Sequence, residues 1–405
     1  MEFTISTVTG EGRAANLEIR GSKLPTPHLF PVVNFYCGGT RRSLFGGGIF
    51  RTIKEFATNS PKVAFGTDYS PYFQGVMTSV SSLTDFRTNE SRLQDYLSVP
   101  LKKRPEFDKF SGVLFVDSGG YKILQKGSIQ GTNFSLPGNQ QTIYGLQRGF
   151  DADIAVNLDT PLSPDDTFEQ RRTKMKTTVR YAEEFATLST SSIETRYLTV
   201  HGYSQSMVNQ YFTMLDRVFP TPLTDWFDGI AIGSLVPLRN NATELIRSVR
   251  AVKRNLRQRG LAGLPIHVFG IAGQVMPLLA CLGVDSFDSA SYLHSAINGK
   301  YFTSFFDSVK LRNADLSRCH CPVCSTPELV SRMRGNTEYQ KDILGPVAIH
   351  NLIVQKQELE RIRKHLHSGD PDQLGSYLER QYRDQPSLRK AALRIINDTL
   401  RPIIQ

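Results

Sequence analysis

Short apolar runs alternate with longer amphipathic stretches along most of the chain. The runs fall at 32–37, 75–80, 112–118, 153–159, 197–202, 229–234, 266–272 and 286–291. Each is short and mostly apolar, and they are often rich in Val, Ile or Phe, as a strand buried on both faces should be. Between them, 167–188, 207–218 and 242–259 carry helix-compatible patterning. Eight strands alternating with helices over roughly 300 residues predict an α/β protein built on a (β/α)8 TIM barrel. A doubly wound sheet gives a similar alternation. It usually carries a glycine fingerprint after its first strand, and Gly46-Gly47-Gly48 lacks that form. Upstream, 4–31 alternates apolar and polar positions with glycine breaks, as in Asn16-Leu17-Glu18-Ile19-Arg20-Gly21. This predicts an N-terminal antiparallel β extension capping the bottom or side of the barrel. Downstream, 314–405 is helix-rich and basic. The expected division is a barrel core with its β extension over 1–310 and a cysteine-bearing, helical basic region over 311–405.

Polar residues interrupt the apolar pattern at one recurrent place, the C-terminal strand ends. Asp117, Asp159, His201, Ser234 and Asp288 all fall there. In a barrel those ends converge on the mouth where this fold does its chemistry. Any one of these aspartates, taken alone, reads as a loop or helix cap. Three in the same slot predict a site.

Composition narrows the class. The 405 residues are 40% hydrophobic and 21% charged, those of a globular chain with ample core. No apolar run reaches the roughly eighteen residues of a membrane span, and the N-terminus lacks a secretory pattern. A cytoplasmic protein is expected. The net charge of +10 favours a polyanionic partner, although a solvated basic surface gives the same total. The excess concentrates at 171–180, 247–259 and 361–389.

Three of the five cysteines crowd into Cys319-His320-Cys321-Pro322-Val323-Cys324. A disulfide framework would spread them out; this spacing puts three thiolates on one tight turn, which suits zinc. Iron–sulfur ligation is the alternative. His320, His350, His365 and His367 are candidates for the fourth ligand. His350 is favoured because it opens a helical stretch, 351–366, that can return to the turn. Four protein ligands would make the zinc structural. Cys37 and Cys281 lie in apolar runs and read as packing residues.

These residues resemble one family. Asp117-Ser118-Gly119-Gly120-Tyr121 is similar to the Asp-Ser-Gly-Gly-aromatic motif of tRNA-guanine transglycosylases, and Cys319, Cys321, Cys324 and His350 match that family's zinc ligands. Thr26-Pro27 with Phe30-Pro31-Val32, Gly229-Ile230-Ala231-Ile232-Gly233, and Phe287-Asp288 followed by Asn298 to Thr303 resemble further family segments. The resemblance implies base exchange at an N-glycosidic bond. Asp288 would be the nucleophile and Asp117 the general acid/base. Asp159, His201, Gly233, Ser118 and Tyr121 would bind the base, with Asp159 accepting from its N1–H and exocyclic amine and Tyr121 stacking on it.

Two departures bear on the polymer. Val200-His201-Gly202 stands where tRNA-acting members usually carry Val-Gln-Gly, and Ala290 to Ala296 contains none of the arginines of their Pro-Thr-Arg-x-x-Arg run. Phe287-Asp288-Ser289-Ala290-Ser291-Tyr292 instead looks like the dpd-type DNA-guanine transglycosylases. The expectation is therefore a DNA-guanine transglycosylase that places a 7-deazaguanine such as preQ0 into DNA, with helper proteins of a modification system as further partners. The alternatives are a tRNA-guanine transglycosylase, or a non-catalytic binding subunit of such an enzyme. No RNA-binding domain of the archaeal type is evident after the cysteine cluster.

Overall fold

A computed structural model describes residues 1–33, 69–85, 88–103, 112–188, 193–337 and 340–401. Three strands, β1 (Glu2–Thr9), β2 (Gly12–Ile19) and β3 (Ser22–Thr26), form an antiparallel sheet. The barrel strands are β4 (His28–Pro31), β5 (Gly75–Ser79) and β6 (Val113–Asp117). A small hairpin, β7 (Ser128–Gln130) and β8 (Ser135–Pro137), follows. The barrel continues with β9 (Ile154–Val156), β10 (Thr195–Val200), β11 (Gly229–Ile232), β12 (Ile266–Val268) and β13 (Ser286–Ser289). A second hairpin, β14 (Lys300–Phe302) and β15 (Ser308–Lys310), precedes the cysteine turn.

The eight barrel strands are parallel in the order β4-β13-β12-β11-β10-β9-β6-β5. The parallel Val32–Met77 bridge and the Val33 N–H donated to the Met77 carbonyl at 2.8 Å draw the two end strands together. The TIM barrel is therefore present, with one boundary shifted. The first strand is His28–Pro31, ahead of the expected 32–37, of which 34–37 lie outside the described residues, and the antiparallel extension stops at Thr26. The 4–31 alternation hid this junction because His28–Pro31 is buried throughout and joins the extension without a break in pattern. Cys37 and Gly46-Gly47-Gly48 lie outside the described residues. Cys281 is a buried free thiol, as its apolar context predicts.

The extension plugs the barrel bottom. Leu17, Ile19 and Leu24 join Phe30, Val113, Phe115, Ile154 and Tyr197 in one apolar cluster inside the strands. Arg13 on β2 adds a bidentate, buried clasp to Asp285, whose second oxygen also accepts the Ile266 N–H at 2.7 Å. With one end filled by side chains, the other is left for chemistry.

The Phe168–Thr187 helix begins at a capping box formed by Thr167 and Gln170. The Gln205–Val218 and Ala242–Gln258 helices start on Ser204 and Asn241 caps. The helix carrying His350 runs Gln340–His367 with Pro346 inside it, so His350 sits mid-helix and does not open it. Among the described residues, no helix is long and apolar enough to cross a membrane.

Candidate functional site

The mouth of the barrel holds a cavity of about 470 Å³, within the range of small-molecule sites. Asp117 at the end of β6, Asp159 just beyond β9, Asp288 on β13, and Gly233 and Ser234 after β11 all line it. The three aspartates are far apart in sequence, and the parallel sheet alone brings them to one wall.

Asp117 is the most perturbed carboxyl. Burial, then the neighbouring Asp159 charge, push its pKa up to about 7; the Asp288 charge adds to this, while hydrogen bonds from Ser79 and the Gly119 N–H (3.1 Å) oppose it. A group that titrates near neutrality can both give and take a proton.

Asp159 is held from two sides. Ser118 Oγ donates to Oδ1 at 3.3 Å, and His201 Nε2 stands 3.3 Å from Oδ2. On its other side His201 is fixed by Ser234, whose Oγ lies 2.8 Å from Nδ1 and also accepts the Leu162 N–H at 2.8 Å. Ser234 reaches this position with φ of 63°, a left-handed backbone that non-glycine residues seldom adopt.

A matching unit supports Asp288. His267 on β12 meets Ser286 Oγ through Nδ1 at 2.9 Å and stands 3.3 Å from Asp288 Oδ1 through Nε2. The Gly270 N–H donates to the same oxygen at 2.7 Å. Both histidine–aspartate approaches fall short of full hydrogen-bond geometry and act as close polar contacts.

Two glycines permit this crowding. A Cβ on Gly120 would sit 2.4 Å from Asp159 Oδ1, and one on Gly233 would sit 2.7 Å from the His201 ring.

The predicted base-binding set is thus only partly on the cavity wall. Asp159 and Gly233 line it. Ser118 and His201 are fully buried behind it and touch Asp159 instead. His201, expected among the base-binding residues, makes its contact here with Asp159. The Gly233 N–H is spent on the Val200 carbonyl at 3.0 Å. Tyr121 lies in the first turn of the Gly120–Lys126 helix, and its side chain is outside the described residues. Sequence reading missed His267, Ser286 and the Gly270 amide. It also missed Phe269, whose ring lines the cavity. Their one signal was position: His267 and Phe269 alternate along the β12 run, two residues apart, as inward-facing positions of a strand do.

The cysteine turn and His350 converge as predicted. Their ligand atoms all lie within 4.8 Å of one another. His350 Nδ1 is 3.6, 3.4 and 3.6 Å from the sulfurs of Cys319, Cys321 and Cys324. A tetrahedral zinc with ordinary Zn–S and Zn–N bonds has N···S edges of about 3.6 Å. One nitrogen equidistant from three sulfurs is that tetrahedron's vertex, so the set fits a structural zinc. His350 Nε2 donates to the Phe302 carbonyl at 2.8 Å, which leaves the Nδ1 lone pair for the metal. Tyr301 stacks on the ring at 3.9 Å. From the same helix Asn351 accepts the Phe302 N–H at 2.9 Å, and Gln355 donates to Ser291 Oγ at 2.8 Å. The cluster therefore braces the segment that follows Asp288.

Residues 96–386, more than half of the chain, match the family model described as queuine tRNA-ribosyltransferase. The chain belongs to this family. Curated relatives include tRNA-guanine(15) transglycosylases from three archaea. That of Sulfolobus acidocaldarius is 28% identical over 98% of this chain and 69% of its own length. That of Pyrococcus abyssi is 27% identical over 98% and 59%, and that of Haloarcula marismortui 29% over 91% and 66%. The chain thus spans roughly three fifths to two thirds of the length of these relatives. The family match agrees with the motif resemblance. The relatives are named for tRNA, and none of the three is named for DNA.

Proposed function

We propose that this family member exchanges guanine in a polynucleotide for a 7-deazaguanine base, with tRNA as the polymer. The observation that carries the chemistry is the meeting of Asp117, Asp159 and Asp288 in one cavity, with Asp117 raised to about 7. The Asp288 carboxylate attacks the anomeric carbon of the target nucleotide, forming an ester bond as the bond to guanine N9 breaks. Asp117 delivers a proton to the departing guanine. It then takes the N9 proton of the incoming base, whose nitrogen attacks the same carbon and releases Asp288. Asp159, oriented by Ser118 and His201, accepts from the N1–H and exocyclic amine that guanine-like bases share. Phe269 offers a ring on which the extracted base can stack. Zinc is structural here and takes no part in these steps.

The tRNA assignment is supported by the names of the relatives and replaces DNA as the leading reading. DNA, with preQ0 as incoming base and helper proteins to open the duplex, stays as a second reading on one observation. The Ser291–Ile297 helix beside Asp288 carries no arginine, and arginine is the side chain best suited to bidentate grip of bases and phosphates. A non-catalytic subunit is disfavoured because both Asp117 and Asp288 are in place at the mouth. The test supplies labelled preQ0 with unmodified tRNA or duplex DNA. Label entering tRNA supports the proposal, label entering DNA alone moves it to the second reading, and label in neither polymer rejects both.

A further inference from the structure

Two helices that are remote in sequence put their cations on one face. The Pro386–Ile395 helix buries Ala391, Ala392 and Ile395 and turns Arg389, Lys390 and Arg394 outward. With Arg383 and Asn397 these residues line a groove of about 430 Å³ that has no carboxylate in its wall. A second groove, of about 480 Å³, is lined by Arg247, Arg250 and Arg254 of the Ala242–Gln258 helix, by Arg394 again, and by a single acid, Asp398. Arg394 belongs to both walls, so the grooves adjoin.

The charges on this face are unequally neutralised. Arg250 is held by Asp398 at 2.8 Å and Glu11 at 3.3 Å, and Arg247 by Glu244 at 3.0 Å. Among the described residues, no carboxylate forms an ion pair with Arg254, Arg383, Arg389, Lys390 or Arg394. Lys390 and Arg394 stand four apart on a helix, a like-charge spacing that destabilises it. An ordinary solvated helix face intersperses acids with its bases; this one does not.

One end of the surface approaches the mouth, while the other, where Arg250 pairs with Glu11, approaches the extension at the barrel bottom. The Ala242–Gln258 helix follows β11, so its N-terminal end lies on the mouth side of the barrel. At the other groove, Tyr382, next to Arg383, donates to the Gln274 carbonyl at 2.6 Å. Gln274 belongs to the same loop as Gly270, whose N–H holds Asp288.

We infer that these two grooves form a binding track for the phosphodiester backbone of the polynucleotide whose base is exchanged at the mouth. The inference rests on the proposed substrate being a polynucleotide. Phosphates suit the track because each one neutralised by an arginine or lysine releases condensed counterions, a gain that an unpaired cation cluster offers and a neutralised one does not. The track reads no sequence; it holds the polymer while the cavity selects the base.

The test uses the full chain carrying Arg389→Gln, Lys390→Gln and Arg394→Gln together. Arg172→Gln, Lys176→Gln and Arg180→Gln on the exposed face of the Phe168–Thr187 helix form a control of equal charge loss. Binding of tRNA and of duplex DNA is measured against salt, with steady-state base exchange and binding of free preQ0. For the polymer that wild type uses, the track variant is expected to raise KM about tenfold or more. Its salt slope should fall by about 2 to 3, close to one per lost phosphate contact. kcat and free-base binding should stay within about twofold of wild type, and the control should leave KM within about twofold. Unchanged KM and salt slope in the track variant, with exchange intact in wild type, would overturn the track alone. An equal effect of the control would also overturn it, since net charge would then account for binding. If wild type binds neither polymer but its track variant loses affinity for polyglutamate, the partner is an acidic polypeptide, and both this inference and the substrate reading fail.

Discussion

The barrel mouth and the zinc cluster are both convergences of polar groups, yet they are assembled in opposite ways. Three of the four cluster ligands come from one turn of six residues, and only His350 arrives from elsewhere. The mouth takes each of its aspartates from a different strand, and their only relation is that parallel strands end at the same rim. The cluster is thus specified locally and needs one tertiary contact to close. The mouth needs the whole barrel. The two also differ in what they leave open. The cluster offers four ligands that saturate a tetrahedral ion, whereas the mouth presents three carboxylates to a cavity, where burial, and then the charges of Asp159 and Asp288, raise Asp117.

The largest expected effect separates the regions outright. Asp288→Ala should lower exchange by about 10⁴-fold or more, roughly 5 kcal/mol of barrier, with thermal stability within a few degrees of wild type. Full activity in that variant, followed with labelled base, would remove Asp288 as nucleophile. Cys321→Ser should do the reverse. Zinc content measured by atomic absorption should fall from one per chain, and the melting temperature should drop by at least about 5 °C. Retention of both would mean that the four ligands do not hold a metal.

His267→Phe tests the support behind the nucleophile. Loss of its contact with Asp288 is expected to lower kcat by about 10- to 100-fold, of the order seen when outer-shell partners are removed. KM for the free base should scarcely move. A change confined to KM would assign His267 to binding and not to positioning.

The smallest effect concerns pH. The folded chain keeps the Asp117 proton up to about 7, whereas an unfolded aspartate loses it near 4. Between those values the folded state binds more protons, so this carboxyl's contribution to stability falls as pH rises, and is least favourable above 7. Asp117→Asn should flatten that decline in urea unfolding measured from pH 5 to 8. Asp159→Asn removes the larger of the two neighbouring charges. It should move the Asp117 titration, followed by carboxyl NMR, down by about one unit. An unmoved titration would leave burial and the Asp288 charge as the causes.

Much of this was legible in the chain. The eight apolar runs announced the barrel because a strand buried on both faces has a composition that loops and helices lack. The cysteine spacing announced zinc because three ligands on one turn are a local pattern. The Asp-Ser-Gly-Gly motif marked Asp117, and Gly120 shows why glycine is needed there: any side chain would strike Asp159. The junction at Thr26 and His28 was hidden because a buried edge of the extension and a buried barrel strand have the same pattern.

The roles within the site were a different matter. His201 and Ser118 sit in motif positions that suggest contact with the base, but burial turns both of them onto Asp159. His267 looked like one more residue of an apolar run until the neighbouring strand placed Asp288 against it. The sequence by itself determined the strand count and the three-cysteine turn, since each depends on residue type and short spacing, and it marked the aspartates only by their place at strand ends. Which carboxylate is raised, which histidine supports which aspartate, and which cations share a face depend on distances between strands and helices far apart in the chain. Electrostatic energies follow those distances, and only the tertiary structure sets them.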